Sequence, residues 1–183
     1  DYAASYRTES LDVFLLSQCQ FFVSDPSGIQ FLAEMFSKPL VIINTAVFTT
    51  INDTTLLLDP IRDIAIPKKL WDKKHKRFLT LKDMLDVEIN SFVTDNKFNC
   101  GPQNAFLHYN EYNIIPIDNT PEEISDVVEE MWLRLHNLWI PDAQDEALQL
   151  AYRDIVDQYP KRDSFLFRWR LGAKFLRENT WIL

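Results

Sequence analysis

Ser24-Asp25-Pro26-Ser27-Gly28 is the segment of this chain best equipped to hold an anion. It follows the apolar run Phe21-Phe22-Val23 and precedes apolar residues at helical spacing, so it lies where a buried strand gives way to a helix. Unpaired backbone amides and the positive end of the helix dipole point outward at such a place. Gly28 has no side chain to hold a phosphate off the backbone, and the Ser27 hydroxyl can donate to it. Equally, Ser27 can cap the helix and Gly28 can permit a turn.

A second set of groups begins at Ile66-Pro67-Lys68-Lys69-Leu70-Trp71. From Lys68 to Arg77 six Lys or Arg stand against Asp72 alone, in a chain that is otherwise acidic. A lysine beside a helix N-terminus can neutralise a diphosphate, and the Trp71 ring offers a flat face to a base or sugar. Pro67 restricts the approach of Lys68 and singles it out. The same run reads as a solvated basic loop that offsets the stretch from Glu111 to Glu146, where ten carboxylates face Arg134 alone. Asn44 is the polar residue closing the apolar run Leu40-Val41-Ile42-Ile43. Asn119, Glu122 and Glu123 border the same crevice if the strand before them is parallel to the others; helix-start chemistry alone also accounts for the group.

The elements that must position these groups follow from apolar periodicity and turn chemistry. Glu9 to Gln18 reads as a short amphipathic helix capped by Ser10. After the Phe21-Phe22-Val23 strand and its loop, Ile29, Leu32, Ala33 and Phe36 mark the inner face of a helix ended by Lys38-Pro39. Leu40 to Ile43 is the next buried strand. Gln20 to Asn44 is therefore a β-loop-α-β unit, which implies two parallel strands joined by a right-handed crossover and an α/β fold. A polar stretch runs from Thr45 to Asp63, followed by Ile64-Ala65-Ile66-Pro67, a helix from Leu81 to Phe92 capped by Thr80, and a loop from Asn96 to Asn110. Tyr112 to Ile117 is a strand. Thr120, Pro121 and Glu123 then form a capping-box helix start, continued inward by Ile124, Val127, Val128, Met131 and Leu135. Two more helices are expected, Asp142 to Gln158 and Ser164 to Asn179, with Pro160 breaking between them.

Composition narrows the functions open to such a fold. At 183 residues, with 46% hydrophobic, 25% charged and 13% aromatic residues, the chain can bury one core and is neither disordered nor collagenous. A net charge of -8 repels a nucleic-acid backbone, so nucleic acid is not an expected partner. Asp12 to Val23 and Pro39 to Phe48 are both interrupted by polar residues, so neither is a membrane span. Cys19 and Cys100 are too few for a disulfide framework, which fits a reducing, cytoplasmic setting. His75, His108 and His136 lie at no metal-ligand spacing, so no metal is implied. Three glycines cannot supply the P-loop or dinucleotide motifs, and no G-x-S-x-G is present. Trp132, Trp139 and Trp169 read as core or domain-packing residues.

Taken in order, Asp12-Val13-Phe14-Leu15-Leu16 with Cys19-Gln20-Phe21-Phe22-Val23, Ser27-Gly28, Lys38-Pro39-Leu40-Val41, Asn44 and Ile66-Pro67-Lys68-Lys69-Leu70 form a series. It continues through Asn119-Thr120-Pro121-Glu122-Glu123-Ile124, Glu130-Met131 and Gly172-Ala173-Lys174-Phe175-Leu176. This series resembles bacterial glycosyltransferases whose donor-side half has a GT-B fold. The Ser27-Gly28 loop with its helix and Lys38-Pro39 is more distantly similar to ADP-heptose transferases. The resemblance implies a Rossmann-like parallel sheet with flanking helices, in an enzyme that moves a sugar from a nucleotide-sugar donor to an acceptor glycan of surface polysaccharide. Residues 1–160 would be the donor-binding domain, and 161–183 a helix packing on it or crossing back to an N-terminal domain. The first residue is Asp1 rather than Met, and that N-terminal domain, which would bind most of the acceptor and supply the base, is expected to be missing from this chain.

By the same resemblance Ser24, Ser27 and Gly28 belong to the phosphate-contacting loop, Lys68 and Lys69 to the basic donor segment, and Asn44 to the strand-end polar position. Asp25-Pro26 departs from the small residues that relatives carry before Ser-Gly, and Asp25 could instead accept hydrogen bonds from donor hydroxyls. No cofactor beyond the nucleotide-sugar substrate is implied, and no metal. An epimerase acting on nucleotide-sugars is an alternative enzyme of similar fold. A binding or assembly module is a third reading, docking through the acidic helix from Glu122 and the aromatic segment Phe165 to Trp181.

Overall fold

The computed structural model describes residues 2–45, 62–84, 109, 113–158 and 169–183. Its elements are α1 (Tyr2–Ser5), α2 (Glu9–Gln18), β1 (Phe22–Ser24), α3 (Gln30–Met35), β2 (Leu40–Thr45), β3 (Ile64–Pro67), β4 (Lys69–Asp72), β5 (Arg77–Phe78) and β6 (Ile114–Ile117). They continue with α4 (Pro121–Leu135), α5 (Ala143–Asp157), β7 (Arg170–Leu171), α6 (Ala173–Glu178) and a closing 3-10 turn (Thr180–Ile182). The interior of the Thr45–Asp63 stretch, the helix beyond residue 84, nearly all of the Asn96–Asn110 loop and the Pro160 break lie outside the described residues.

The expected α/β architecture is present. β1, β2, β3 and β7 form one sheet in that order, every neighbouring pair parallel. Phe22, Val23 and Ser24 pair with Leu40, Val41 and Ile42, with α3 as the crossover between the two strands. β2 and β3 are buried along nearly their whole length, which is why their sequence reads as unbroken apolar runs rather than as alternation. α3 packs on β1, while α4 packs on β2 and β3. α4 begins at the expected capping box: Thr120 Oγ1 accepts from the Glu123 amide at 3.2 Å, and Glu123 Oε2 accepts from the Thr120 amide at 2.8 Å. Asp142 caps α5, accepting from the Gln144 amide at 2.7 Å.

Four expectations are corrected. The N-cap of α2 is Thr8, whose hydroxyl oxygen accepts from the Leu11 amide, because the helix begins at Glu9 and leaves Ser10 inside it. α3 is rotated so that Gln30, Ala33 and Glu34 are buried while Ile29 and Phe36 are exposed. β6 is antiparallel, pairing with β4 in a separate three-stranded sheet of order β5-β4-β6. The C-terminal segment is not one helix from Ser164 to Asn179: Arg170–Leu171 joins the parallel sheet, and among its described residues Ala173–Glu178 form the α-helix before the final turn. There Gly172 sits against Ile66 and Val127, where a Cβ would lie 3.0 Å from Ile66 Cγ2.

The rotation of α3 places a carboxyl in the interior. Glu34 is 5% exposed, its Oε1 accepts from Gln30 Nε2 at 2.7 Å, and its Oε2 meets no donor. Burial pushes the carboxyl above its usual range; the Gln30 hydrogen bond opposes this, Asp63 adds to it and Arg62 opposes it. A carboxyl raised in the folded state stabilises the fold while protonated, and that contribution is lost as pH rises through the raised pKa. Glu34→Gln is therefore expected to raise the melting temperature near neutral pH and to leave it unchanged below about pH 4, where the carboxyl is protonated folded and unfolded alike. Melting curves across pH check this; a glutamine variant less stable at neutral pH would show the ionised carboxylate to be satisfied.

Candidate functional site

In an open parallel sheet, ligands bind beyond the carboxyl ends of the strands. Here those ends are Ser24, Thr45 and Pro67 on three neighbouring strands, so the loop after β1 and the residue after β3 lie about 10 Å apart, two strand spacings. Ser24, Ser27, Gly28, Asn44 and Lys68 thus belong to one edge of the sheet.

The loop after β1 is open. Asp25 to Ile29 are exposed, and nothing lies within 4 Å of where a Gly28 Cβ would sit. The φ of Gly28 is not positive, so the turn itself does not require glycine. Ser24 Oγ donates to the Asp25 carbonyl at 2.5 Å and lies 3.1 Å from Ser27 Oγ. Ser24 has one proton, already given to that carbonyl, so Ser27 is the donor across the 3.1 Å contact. The helix starts later than expected: the Gln30, Phe31 and Leu32 amides donate to the carbonyls of Ser27, Gly28 and Ile29, and Ile29 in the N-cap position provides no side-chain cap. Ser27 is therefore not the cap of α3. The Gly28 and Ile29 amides meet no acceptor among the described residues.

Asn44 sits at an irregularity in the β2–β3 register, with φ 52°. Asparagine tolerates this left-handed backbone better than other side chains do. The Asn44 amide donates to Asn119 Oδ1 at 2.7 Å, the Asn119 amide donates to Asn44 Oδ1 at 2.7 Å, and Asn119 Nδ2 donates to the Pro67 carbonyl at 2.8 Å. This reciprocal clasp ties the β2 end to the loop between β6 and α4, leaving Asn44 Nδ2 as that side chain's uncommitted donor.

The two lysines diverge. The Lys68 amide donates to the Thr45 carbonyl at 3.0 Å, and its ammonium forms an ion pair with Asp118. Lys69 Nζ instead donates to Glu123 Oε1 at 2.8 Å, at the start of α4. That carboxylate also completes the capping box, so Lys69 is a packing lysine of the α4 N-terminus. Trp71 meets Phe78 edge-on at 5.0 Å, and Phe78 stacks on Trp181 at 4.7 Å, so the Trp71 ring is engaged by the small sheet.

Asp118 is the edge residue whose part the sequence did not disclose, since it carries no motif. Asn119 is expected at the crevice on the condition of a parallel strand, and it reaches the edge from an antiparallel one. β4 explains their position: it starts where β3 ends, so its antiparallel partner β6 must finish at that same place. Among the described residues no group of three or more His, Cys, Asp or Glu could hold a metal ion, and no helix is long and apolar enough to cross a membrane. Neither a family model, nor a curated protein, nor a solved structure matches this chain.

Proposed function

We propose that this chain binds the nucleotide-sugar donor of a glycosyltransferase, with the diphosphate at the carboxyl edge of the parallel sheet. The observation that carries the reading is Gly28: its backbone does not need glycine and its surroundings are empty, so the missing side chain serves close approach from outside. The Gly28 and Ile29 amides face the diphosphate, Asn44 Nδ2 donates to a donor oxygen, and Lys68 supplies the cation. As the sugar bond breaks, negative charge grows on the departing nucleoside diphosphate, and these fixed donors stabilise it. Asp118 now holds Lys68, so a diphosphate must compete with that carboxylate. The base that deprotonates the acceptor hydroxyl is assigned to no residue of this chain.

A second reading is favoured by the satisfaction of the same edge. Lys68, Lys69 and Asn44 all have partners within the fold, as expected if the edge only fastens the two sheets together in an assembly module. Of the aromatic residues foreseen for the docking surface of such a module, Trp169 and Phe175 are buried in the core.

Calorimetric titration with the nucleoside diphosphates of uracil, guanine, adenine and cytosine separates the readings. Donor binding requires saturable affinity with preference for one base, and Lys68→Ala should weaken it about tenfold or more, the usual worth of a charged hydrogen bond. No saturable binding of any of the four would leave the module reading in possession; unchanged affinity in Lys68→Ala would remove Lys68 from the site.

A further inference from the structure

The basic run is only partly absorbed by that edge. Its centre, Lys73 to Lys76, is the exposed turn that joins β4 to β5. Asp72 folds the turn: its Oδ1 accepts from the Lys74 and His75 amides at 2.8 and 3.1 Å, and its Oδ2 lies 2.5 Å from His75 Nδ1. Arg77 is held by both carboxylate oxygens of Asp83, at 2.6 and 3.1 Å, and this bidentate contact pulls the Asp83 carboxyl down to about 2. The His75 and Arg77 side chains therefore face carboxylates at home. Lys73, Lys74 and Lys76 have no carboxylate partner among the described residues, whereas Arg134, Arg170 and Arg177 each rest on one. Three uncompensated lysines within four residues are a local reversal of sign in a chain of net charge -8.

The sheet beside the turn adds carbon to that charge. Trp71 pairs with Ile115 and Lys69 with Ile117, so these four share one face, while Leu70 and Ile114 on the other face are buried. Ile115 and Ile117 are 39% and 38% exposed. Lysines on the turn and exposed aliphatic groups on the strand paired with β4 match a surface that is anionic outside and apolar beneath. A nucleic-acid backbone offers nothing to the isoleucines, and the one arginine of the run is already tied to Asp83.

We propose that the turn end of the small sheet docks on an anionic lipid bilayer, the three lysines against headgroup phosphates and Ile115, the isoleucine nearer the turn, at the headgroup boundary. The inference goes beyond donor binding and does not depend on it. Each lysine near an anionic leaflet is worth about fivefold in partitioning, so the three together give about a hundredfold. The attraction reaches about 8 Å at physiological ionic strength, so the turn acts locally despite the negative charge elsewhere.

The test is flotation of the full chain with vesicles of phosphatidylcholine alone and of equal parts phosphatidylcholine and phosphatidylglycerol. The variant is Lys73→Gln with Lys74→Gln and Lys76→Asn, asparagine being chosen because Lys76 lies at φ 53°. A control removes the same charge elsewhere: Lys38→Gln, Lys82→Gln and Arg153→Gln. Wild type and control should float with the anionic vesicles only and be released at about 1 M salt, where the Debye length is about 3 Å. The turn variant, its circular dichroism unchanged, should lose about a hundredfold in partitioning. Equal binding to both vesicles, equal loss in variant and control, or no flotation would each overturn the proposal. So would lysine-dependent binding to polyglutamate without binding to vesicles, which would make the partner an acidic protein.

Discussion

Glu130→Ala is expected to remove about 3 to 5 kcal/mol of folding stability, the cost of breaking one side of a buried ion pair. Glu130 is 3% exposed and both its oxygens are occupied. Oε1 accepts from Arg134 Nε and Nη2 at 2.9 and 2.7 Å, and Oε2 accepts from the Ala173 amide at 2.7 Å. Ala173 is the first residue of α6, so its amide is one that the helix cannot satisfy from within. Alanine at position 130 strands a largely buried guanidinium and that amide together. For a chain of this length the loss corresponds to about 6 to 20 °C in melting temperature. Urea unfolding should show a lower midpoint with the slope m unchanged, since the same surface is exposed. A loss below about 1 kcal/mol would mean that water takes over both partners.

That contact shows how far the sequence can be read. Glu130-Met131 and Gly172-Ala173-Lys174 stand in it as separate short strings, yet in space they touch, through the Ala173 amide on Glu130 Oε2. Local chemistry was legible: the Thr120 capping box and the strand-loop-helix-strand unit after Gln20 form as their residues dictate. β4 was not legible. Lys69-Leu70-Trp71-Asp72 reads as part of a basic run, and it is a strand because β5 and β6 pair with it on both sides. β7 has two residues and gains strand geometry only from β3. Its outer edge is covered by a side chain: Gln149 Nε2 donates to the Leu171 carbonyl at 2.6 Å, and Gln149 Oε1 accepts from the Leu171 amide at 3.2 Å. A glutamine standing in for a neighbouring strand leaves no periodicity to find.

The candidate site divides along the same line. Ser24, Ser27, Gly28 and Asn44 could be placed from the sequence because they end buried apolar runs, and the ends of parallel strands share an edge. Lys68 and Lys69 are adjacent and alike in sequence, and only the carboxylates that α4 and the β6–α4 loop bring to them distinguish one from the other. Rotation of α3 hid behind its apolar residues, since Ile29 and Phe36 attract a helical-wheel reading that the buried Gln30–Glu34 hydrogen bond overrules.

Asn119→Ala should have the largest effect on the edge itself, about 2 to 4 kcal/mol of stability together with weaker binding of any diphosphate that the edge accepts. Two backbone groups lose their partners, the Asn44 amide and the Pro67 carbonyl, and a polar group left unsatisfied costs about 1 to 3 kcal/mol. Asn44→Ala removes the opposite half of the clasp and also forces alanine to φ 52°, at about 1 to 2 kcal/mol. Asn44→Gly removes the same bond without that strain, so the difference between the two substitutions measures the backbone cost alone. Because the two asparagines serve each other, Asn44→Gly with Asn119→Ala should cost less than the sum of the single changes by about 0.5 kcal/mol or more. Strict additivity would mean that the two bonds form independently. Titration of Asn119→Ala with nucleoside diphosphates then decides what the clasp is for. Affinity that falls with it makes the clasp the support that presents Asn44 Nδ2 and Lys68 to the ligand. Affinity that holds while stability drops would confine both asparagines to joining the sheets and move the diphosphate toward the Ser27-Gly28 loop.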